Sequence, residues 1–186
     1  MNKTLIMYFS KYGTTKKYAQ WLAEELNGDI FDIHSVKPNL FDGYGTIILG
    51  SGLYAGNVKG ANLLVNNYEK IKDKKLIIFT CGSADYSKTV HVNSVNEKIA
   101  KLIPANILKN IKIFCLRGGI NYKELSGLHK MMLGTVKKVL EKKDADKISE
   151  EDKEFLEYFS KGEVDFTDKS SIAKIVAYCK ETNNGK

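Results

Sequence analysis

The chain has 186 residues, 43% hydrophobic and 27% charged, with a formal net charge of +7. That size and balance suit one soluble globular domain with a sizeable core, and they exclude a collagenous, low-complexity or disordered chain. The three cysteines, Cys81, Cys115 and Cys179, are odd in number and far apart, no apolar stretch is long enough to span a bilayer, and the N-terminus lacks a signal-peptide apolar region. A single domain over 1–186 in a reducing cytoplasm is therefore expected. The basic balance favours anionic ligands or peripheral contact with an anionic membrane face, and no basic-aromatic module for nucleic acid is present.

In chain order, four apolar runs at 4–9, 45–50, 75–80 and 112–117 are nearly continuous rather than alternating. Strands buried on both faces read this way, as in a parallel sheet covered by helices. After the first run, Tyr18, Leu22 and Leu26 recur at helical spacing beside Ala19 and Ala23, with Lys16, Lys17, Gln20 and Glu24 opposite. This predicts a helix over 14–27 that Gly28 ends. Asp29 to His34 reads as another strand, and Asn62–Ile71 and Val92–Ile103 as helices, the second stopped by Pro104. Alternating strands and helices require right-handed crossovers, which makes the fold class α/β with a doubly wound sheet.

Residues 118–165 exceed an ordinary connection and read as an insertion decorating the sheet edge. Within it Leu125, Leu128, Met132, Val136, Val139 and Leu140 mark an amphipathic helix, with Lys130, Lys137 and Lys138 off the stripe. Its Met131-Met132-Leu133 segment is expected to pack beneath the insertion, the alternative being a membrane surface. A charged stretch, 142–153, and a short apolar patch, 155–159, follow. Thr167 or Asp168 then caps a last helix with Ile172, Ile175, Val176 and Cys179 facing the core.

Three segments directly follow apolar runs: Ser10-Lys11-Tyr12-Gly13-Thr14-Thr15, Ser51-Gly52-Leu53-Tyr54-Ala55-Gly56, and Cys81-Gly82-Ser83-Ala84-Asp85-Tyr86, the last joined as a candidate binding segment by Thr80 at the end of its run. From a parallel sheet all three leave the carboxyl edge, where open α/β sheets bind ligands. The first offers hydroxyls and backbone N–H groups at a helix start, which suits a phosphate. The other two suit a flat, polar-edged ring, and the combination points to FMN. Tyr54 is the candidate stacking ring, with Tyr12 and Tyr86 as rivals. Cys81 reads as a small buried thiol rather than a redox group, and His91 and His129 as surface or helix-flank histidines rather than proton carriers. Arg117 either grips a carboxylate through its planar fork or pairs with Asp85 or Glu124. No cluster has metal-ligand spacing, so no metal is expected.

These segments resemble the flavodoxin superfamily over nearly the whole chain. Ser10, Gly13, Thr14 and Thr15 match its hydroxyl-rich phosphate loop, with Tyr12 standing where many members carry Ser or Thr. Ser51-Gly52-Leu53-Tyr54 resembles the loop that sets an aromatic ring near the isoalloxazine, and Cys81-Gly82-Ser83 the loop at its pyrimidine edge. The resemblance implies a flavodoxin-like, five-stranded parallel sheet in order 2-1-3-4-5 with noncovalent FMN. Arg117 to Tyr122, Leu128-His129-Lys130-Met131-Met132 and Phe166-Thr167-Asp168 resemble more narrowly the branch containing menaquinone-dependent protoporphyrinogen dehydrogenase. That implies an oxidoreductase passing electrons from a reduced organic substrate, such as a protoporphyrinogen, to a quinone or protein acceptor. The alternatives are a flavodoxin that only shuttles electrons between redox partner proteins, and an NAD(P)H-dependent quinone reductase.

Overall fold

The computed structural model of the chain describes residues 3–54 and 57–181. Ala55 and Gly56, expected in the second ring-binding segment, lie outside the described residues. The main sheet contains β1 (Thr4–Phe9), β2 (Asp29–Asp32), β3 (Thr46–Tyr54), β4 (Asn57–Val58), β5 (Lys75–Gly82) and β6 (Ile111–Arg117). Its order is β2-β1-β3-β5-β6, all parallel, while short β4 folds back antiparallel on β3 with Val58 opposite Leu53. With β4 set aside, this is the expected 2-1-3-4-5.

Helices α1 (Thr14–Leu26), α2 (Ala61–Asn66), α3 (Tyr68–Ile71), α4 (Thr89–Ala100) and α5 (Ala105–Leu108) fill the crossovers. The remainder comprises β7 (Gly119–Asn121), α6 (Gly127–Leu140), α7 (Glu150–Lys161), β8 (Glu163–Asp165) and α8 (Ala173–Lys180). Successive strand side chains point to opposite faces, so each strand feeds two cores. Leu5, Met7, Ile47, Leu49, Leu76 and Ile78 pack with Leu64, Ile71, Val95 and Ile99 on one side. Ile6, Ile48, Ile77 and Phe79 pack with Tyr18, Ala19, Leu22, Ile172 and Ile175 on the other. Burial on both faces is why the apolar runs do not alternate.

Several boundaries differ from expectation for local physical reasons. Strands β3 and β5 outrun their apolar runs, pairing Ser51 with Thr80, Gly52 with Cys81, and Gly82 with Arg117. Backbone pairing asks nothing of side-chain polarity once polar groups are satisfied. The Ser51 hydroxyl donates to the Gly52 carbonyl at 2.9 Å and accepts from Lys59 N–H at 3.1 Å. Helix α1 ends one residue early because Asn27 takes the left-handed conformation (φ 47°), which short polar Asn tolerates. The helix expected over 62–71 breaks at Asn67, whose side chain turns back to the Leu63 carbonyl at 2.9 Å.

The insertion leaves the carboxyl end of the edge strand β6, and its residues lie over that end of the sheet. Strands β7 and β8 pair antiparallel, Ile120 opposite Val164, and bracket α6 and α7. Gly118 N–H donates to the Gly82 carbonyl at 2.7 Å, and Phe166 N–H returns to the Gly118 carbonyl at 3.3 Å. Arg117 donates to the Tyr158 hydroxyl at 2.7 Å, and its guanidinium carbon sits 3.7 Å from the Phe166 ring centre. It is therefore spent inside the fold, and among the described residues it forms no ion pair with Asp85 or Glu124. His91, expected near the surface, is 1% exposed because α7 lays Glu154 over it, with Nε2 3.7 Å from Oε1. Lys88 reaches the same carboxylate at 2.6 Å. The apolar stripe of α6 is largely exposed instead of packed beneath the insertion: Leu128, Met132, Val136 and Val139 face outward, and within the helix only Leu140, at the border of the stripe, is buried.

The Tyr18 hydroxyl joins three parts of this architecture. It donates to the Arg117 carbonyl at 2.7 Å and accepts from Asp168 N–H at 3.0 Å, tying α1 to the end of β6 and the approach to α8. Tyr18→Phe should destabilise the protein by about 1–3 kcal/mol by stripping both groups of their partner. Urea unfolding with an unchanged slope and a lower midpoint would read this loss; an unchanged midpoint would show that the hydroxyl is idle.

Candidate functional site

Helix α1 starts on Gly13, whose φ of +89° is open to glycine and strained for other residues, and no side chain caps it. The N–H groups of Thr14, Thr15 and Lys16 belong to the first turn, where no intrahelical carbonyl is available, at the positive end of the helix dipole. In the same loop the Ser10 Oγ is buried and has no hydrogen-bond partner among the described residues. An unpaired buried hydroxyl is costly unless an acceptor arrives to meet it. A helix start with free donors and an unsatisfied hydroxyl has the chemistry of an anion cradle.

A cavity of about 220 Å³ adjoins this loop at the carboxyl edge. Tyr12, Thr14 and Thr15 supply one wall, and Gly52, Leu53 and Tyr54 at the end of β3 a second. Cys81, Gly82 and Ser83 supply a third. The Tyr54 hydroxyl accepts from Lys11 N–H at 3.1 Å, and its ring meets Phe9 edge-on at 5.4 Å, so the aromatic leans against the first loop. Burial raises the Tyr54 pKa, partly countered by the Lys11 N–H, so the phenol is neutral at neutral pH. Burial also pushes the Cys81 thiol up to about 12, although Thr15 hydrogen-bonds to it. A thiol held protonated is a poor nucleophile.

The insertion supplies the remaining wall: Gly118, Gly119 and Ile120, then Leu125, His129, Met132 and Leu133. A Cβ at Gly118 would lie 2.8 Å from Thr14 Cγ2, so glycine is what lets the insertion begin so close to the first loop. The Tyr12 hydroxyl and His129 Nδ1 are 2.5 Å apart, joining that loop to α6. His129 is thus a half-buried wall residue rather than a surface one.

Other expected residues have different places. Ser51 and Thr80 are fully buried within the sheet, away from the cavity surface. Lys11 is exposed, with its ammonium 5.7 Å from the Tyr12 ring centre. Asp85 accepts from both Ser87 N–H and Ser87 Oγ and shapes the turn after β5. Ser10 and Gly13 shape the first loop without lining the cavity. The insertion 118–165 was expected to shape one side of the cleft, but its individual wall residues were not assigned to it. The spacing of His129, Met132 and Leu133, which shares one side of a helix, was the available signal.

A doubly wound parallel sheet with its cleft where strand order reverses defines a class of nucleotide-binding α/β proteins. A model of the flavodoxin domain matches residues 5–147, and the chain belongs to that family. It is 31% identical over 137 residues to an uncharacterised protein of Methanocaldococcus jannaschii, covering 69% of this chain and 85% of that protein. It is 26% identical over 126 residues to a flavodoxin of Maridesulfovibrio salexigens, covering 61% of this chain and 86% of the relative. A crystal structure of a flavoprotein in complex with FMN from Lactobacillus acidophilus superposes with a TM-score of 0.44 at 14% identity, covering 63% of this chain and 93% of that one. Overlap that weak adds nothing to the family assignment.

The raised thiol pKa has a signed consequence. An unfolded Cys81 ionises near its ordinary 9.0 and the folded one near about 12. Its contribution to stability is therefore complete below pH 9 and declines as pH rises from there towards about 12. Cys81→Ser should flatten the alkaline fall in stability between these limits, measured by urea unfolding. Native protein at pH about 8.5 should also resist iodoacetamide at Cys81 while unfolded protein reacts; equal labelling by mass spectrometry would contradict the burial argument.

Proposed function

We propose that the chain binds one FMN noncovalently and acts as an FMN-dependent oxidoreductase. The observation that carries this reading is the union, through one loop, of an anion-ready helix start with a cavity walled by aromatic and glycine-rich strand ends. Membership of the flavodoxin family and the flavodoxin relative support it. The Ser10 hydroxyl and the first N–H groups of α1 would hold the phosphate. Tyr12, Gly52, Tyr54, Cys81, Gly82 and Ser83 would border the ring. Bound there, FMN supplies one- and two-electron transfer.

The chain's own contribution is orientation and exclusion of water. Leu125, Met132 and Leu133 make the insertion side of the cavity apolar, and the Tyr12–His129 pair holds that side to the first loop. The neutral Cys81 thiol places no charge there. A cavity walled by an insertion favours a small-molecule reactant over a ring edge left open for protein docking. The donor would be a reduced organic molecule and the acceptor a quinone or a redox protein. Engagement of Arg117 by Tyr158 and Phe166 removes one argument for a carboxylate-bearing, protoporphyrinogen-like donor. The flavodoxin relative favours the second reading, a carrier that shuttles electrons between proteins.

Purified protein should be yellow and hold about one FMN per chain; FAD, or no flavin affinity after reconstitution, would overturn the cofactor. Ser10→Ala should weaken FMN by ~1.5–3 kcal/mol, roughly tenfold or more, and leave riboflavin affinity unchanged. Equal losses for both ligands would mean that the loop does not read the phosphate. Dithionite-reduced protein should be reoxidised by a menaquinone analogue in stopped-flow mixing. Reoxidation by a ferredoxin alone would favour the carrier.

A further inference from the structure

We infer that the exposed side of α6 is a docking surface for an anionic lipid bilayer. Leu128, Met131, Met132, Val136 and Val139 are 68%, 65%, 40%, 41% and 56% exposed. At the angular step of an α-helix these five share one arc of roughly 140°. The helix turns a different side inward, where Leu140 is buried and Leu133 and His129 are half-buried. Five large apolar side chains on one unpartnered helix side form a patch rather than scattered exposure.

Charge selects the occupant. Residues 123–143 carry six lysines against two glutamates, a local +4 within a chain of +7. Lys138, on the apolar arc's border, and Lys142, just past the helix end, are both exposed. An amphipathic helix with an apolar side and lysines at its rim lies in the interface of an anionic membrane, apolar side down. A second copy of this chain would bring the same lysines against each other, so self-association is disfavoured where lipid is favoured. No helix among the described residues is long and apolar enough to cross a membrane, so the contact is interfacial. Met132 also lines the cavity, so the apolar surface runs from the proposed lipid contact to the candidate site. The inference stands on α6 and does not depend on flavin binding.

Flotation of the purified full-length protein with vesicles tests it, with flavin content recorded in parallel so that the two readings fail separately. Binding should occur with mixed phosphatidylglycerol–phosphatidylcholine vesicles, weaken as salt rises, and be far weaker with phosphatidylcholine alone. The triple substitution Leu128→Ser, Met131→Ser and Val139→Ser alters only exposed side chains outside the cavity and should keep the circular dichroism spectrum. It should reduce vesicle affinity at least about tenfold. Lys138→Glu with Lys142→Glu should reduce both affinity and its salt dependence. Absence of anionic-vesicle binding, or binding indifferent to the triple substitution, would overturn the proposal. So would a wild-type dimer in sedimentation equilibrium that the triple variant dissolves, or triple-sensitive binding to an acidic ferredoxin without vesicle binding.

Discussion

A parallel sheet cannot be closed by hairpins, and the rest of this structure follows from that restriction. Each return from β1 to β2, β3, β5 and β6 must cross over a face, so helices cover both faces and both must be apolar. The same restriction collects every strand's carboxyl end at one edge. Phe9, Tyr54, Gly82 and Arg117 therefore finish side by side although they lie far apart in the chain. Strand order reverses beside β1, and the chains leaving β1 and β3 diverge there to opposite faces. A cleft is opened by topology before any side chain is chosen to line it.

What closes that cleft is chemically different from what forms it. The sheet core is mainly aliphatic, with Phe79, Phe41 and Tyr18 among it, whereas the insertion coheres through rings: Tyr122 with Phe159 at 4.6 Å, Phe155 with Phe159 at 5.8 Å, and Tyr158 with Phe166 at 5.2 Å. Such pairs each contribute about 0.5–1.5 kcal/mol beyond their area. The exposed ion pairs along α7, Lys153 with Glu150 and Lys161 with Glu157, are worth less and are screened by salt. Placement of the insertion over the site therefore rests on Arg117 between Tyr158 and Phe166, and on Glu154 over His91, more than on its many surface charges.

The cavity combines these two parts so that each supplies one kind of recognition. The first loop carries unpaired donors and the positive end of α1, which reward negative charge. The strand ends and α6 supply a neutral thiol, a neutral phenol and apolar side chains, which reward a ring. Tyr12 belongs to both, standing in the first loop and bonded to His129 on α6. Its presence where many flavodoxins carry Ser or Thr thus coincides with a link to the insertion.

The parallel sheet and the convergence of three segments at one edge were legible in the chain itself, because they follow from local patterns, whereas the strand order came from the resemblance of those segments to flavodoxins. Continuous apolar runs report burial on both faces, and the repeat of Tyr18, Leu22 and Leu26 reports the helix that covers one of them. Where side-chain chemistry does not control the backbone, the pattern was silent: β3 and β5 continue through Ser51 and Cys81 because pairing with a neighbour, not hydropathy, decides where a strand stops. Burial of His91, the engagement of Arg117 and the wall made by His129, Met132 and Leu133 all depend on where 118–165 settles. Contacts such as His91 with Glu154 join residues far apart in the chain, and no periodicity encodes them. An amphipathic stripe announces that α6 has an apolar side, but only tertiary packing decides whether that side meets protein or is left exposed, since the free energy of burial is indifferent to what does the covering.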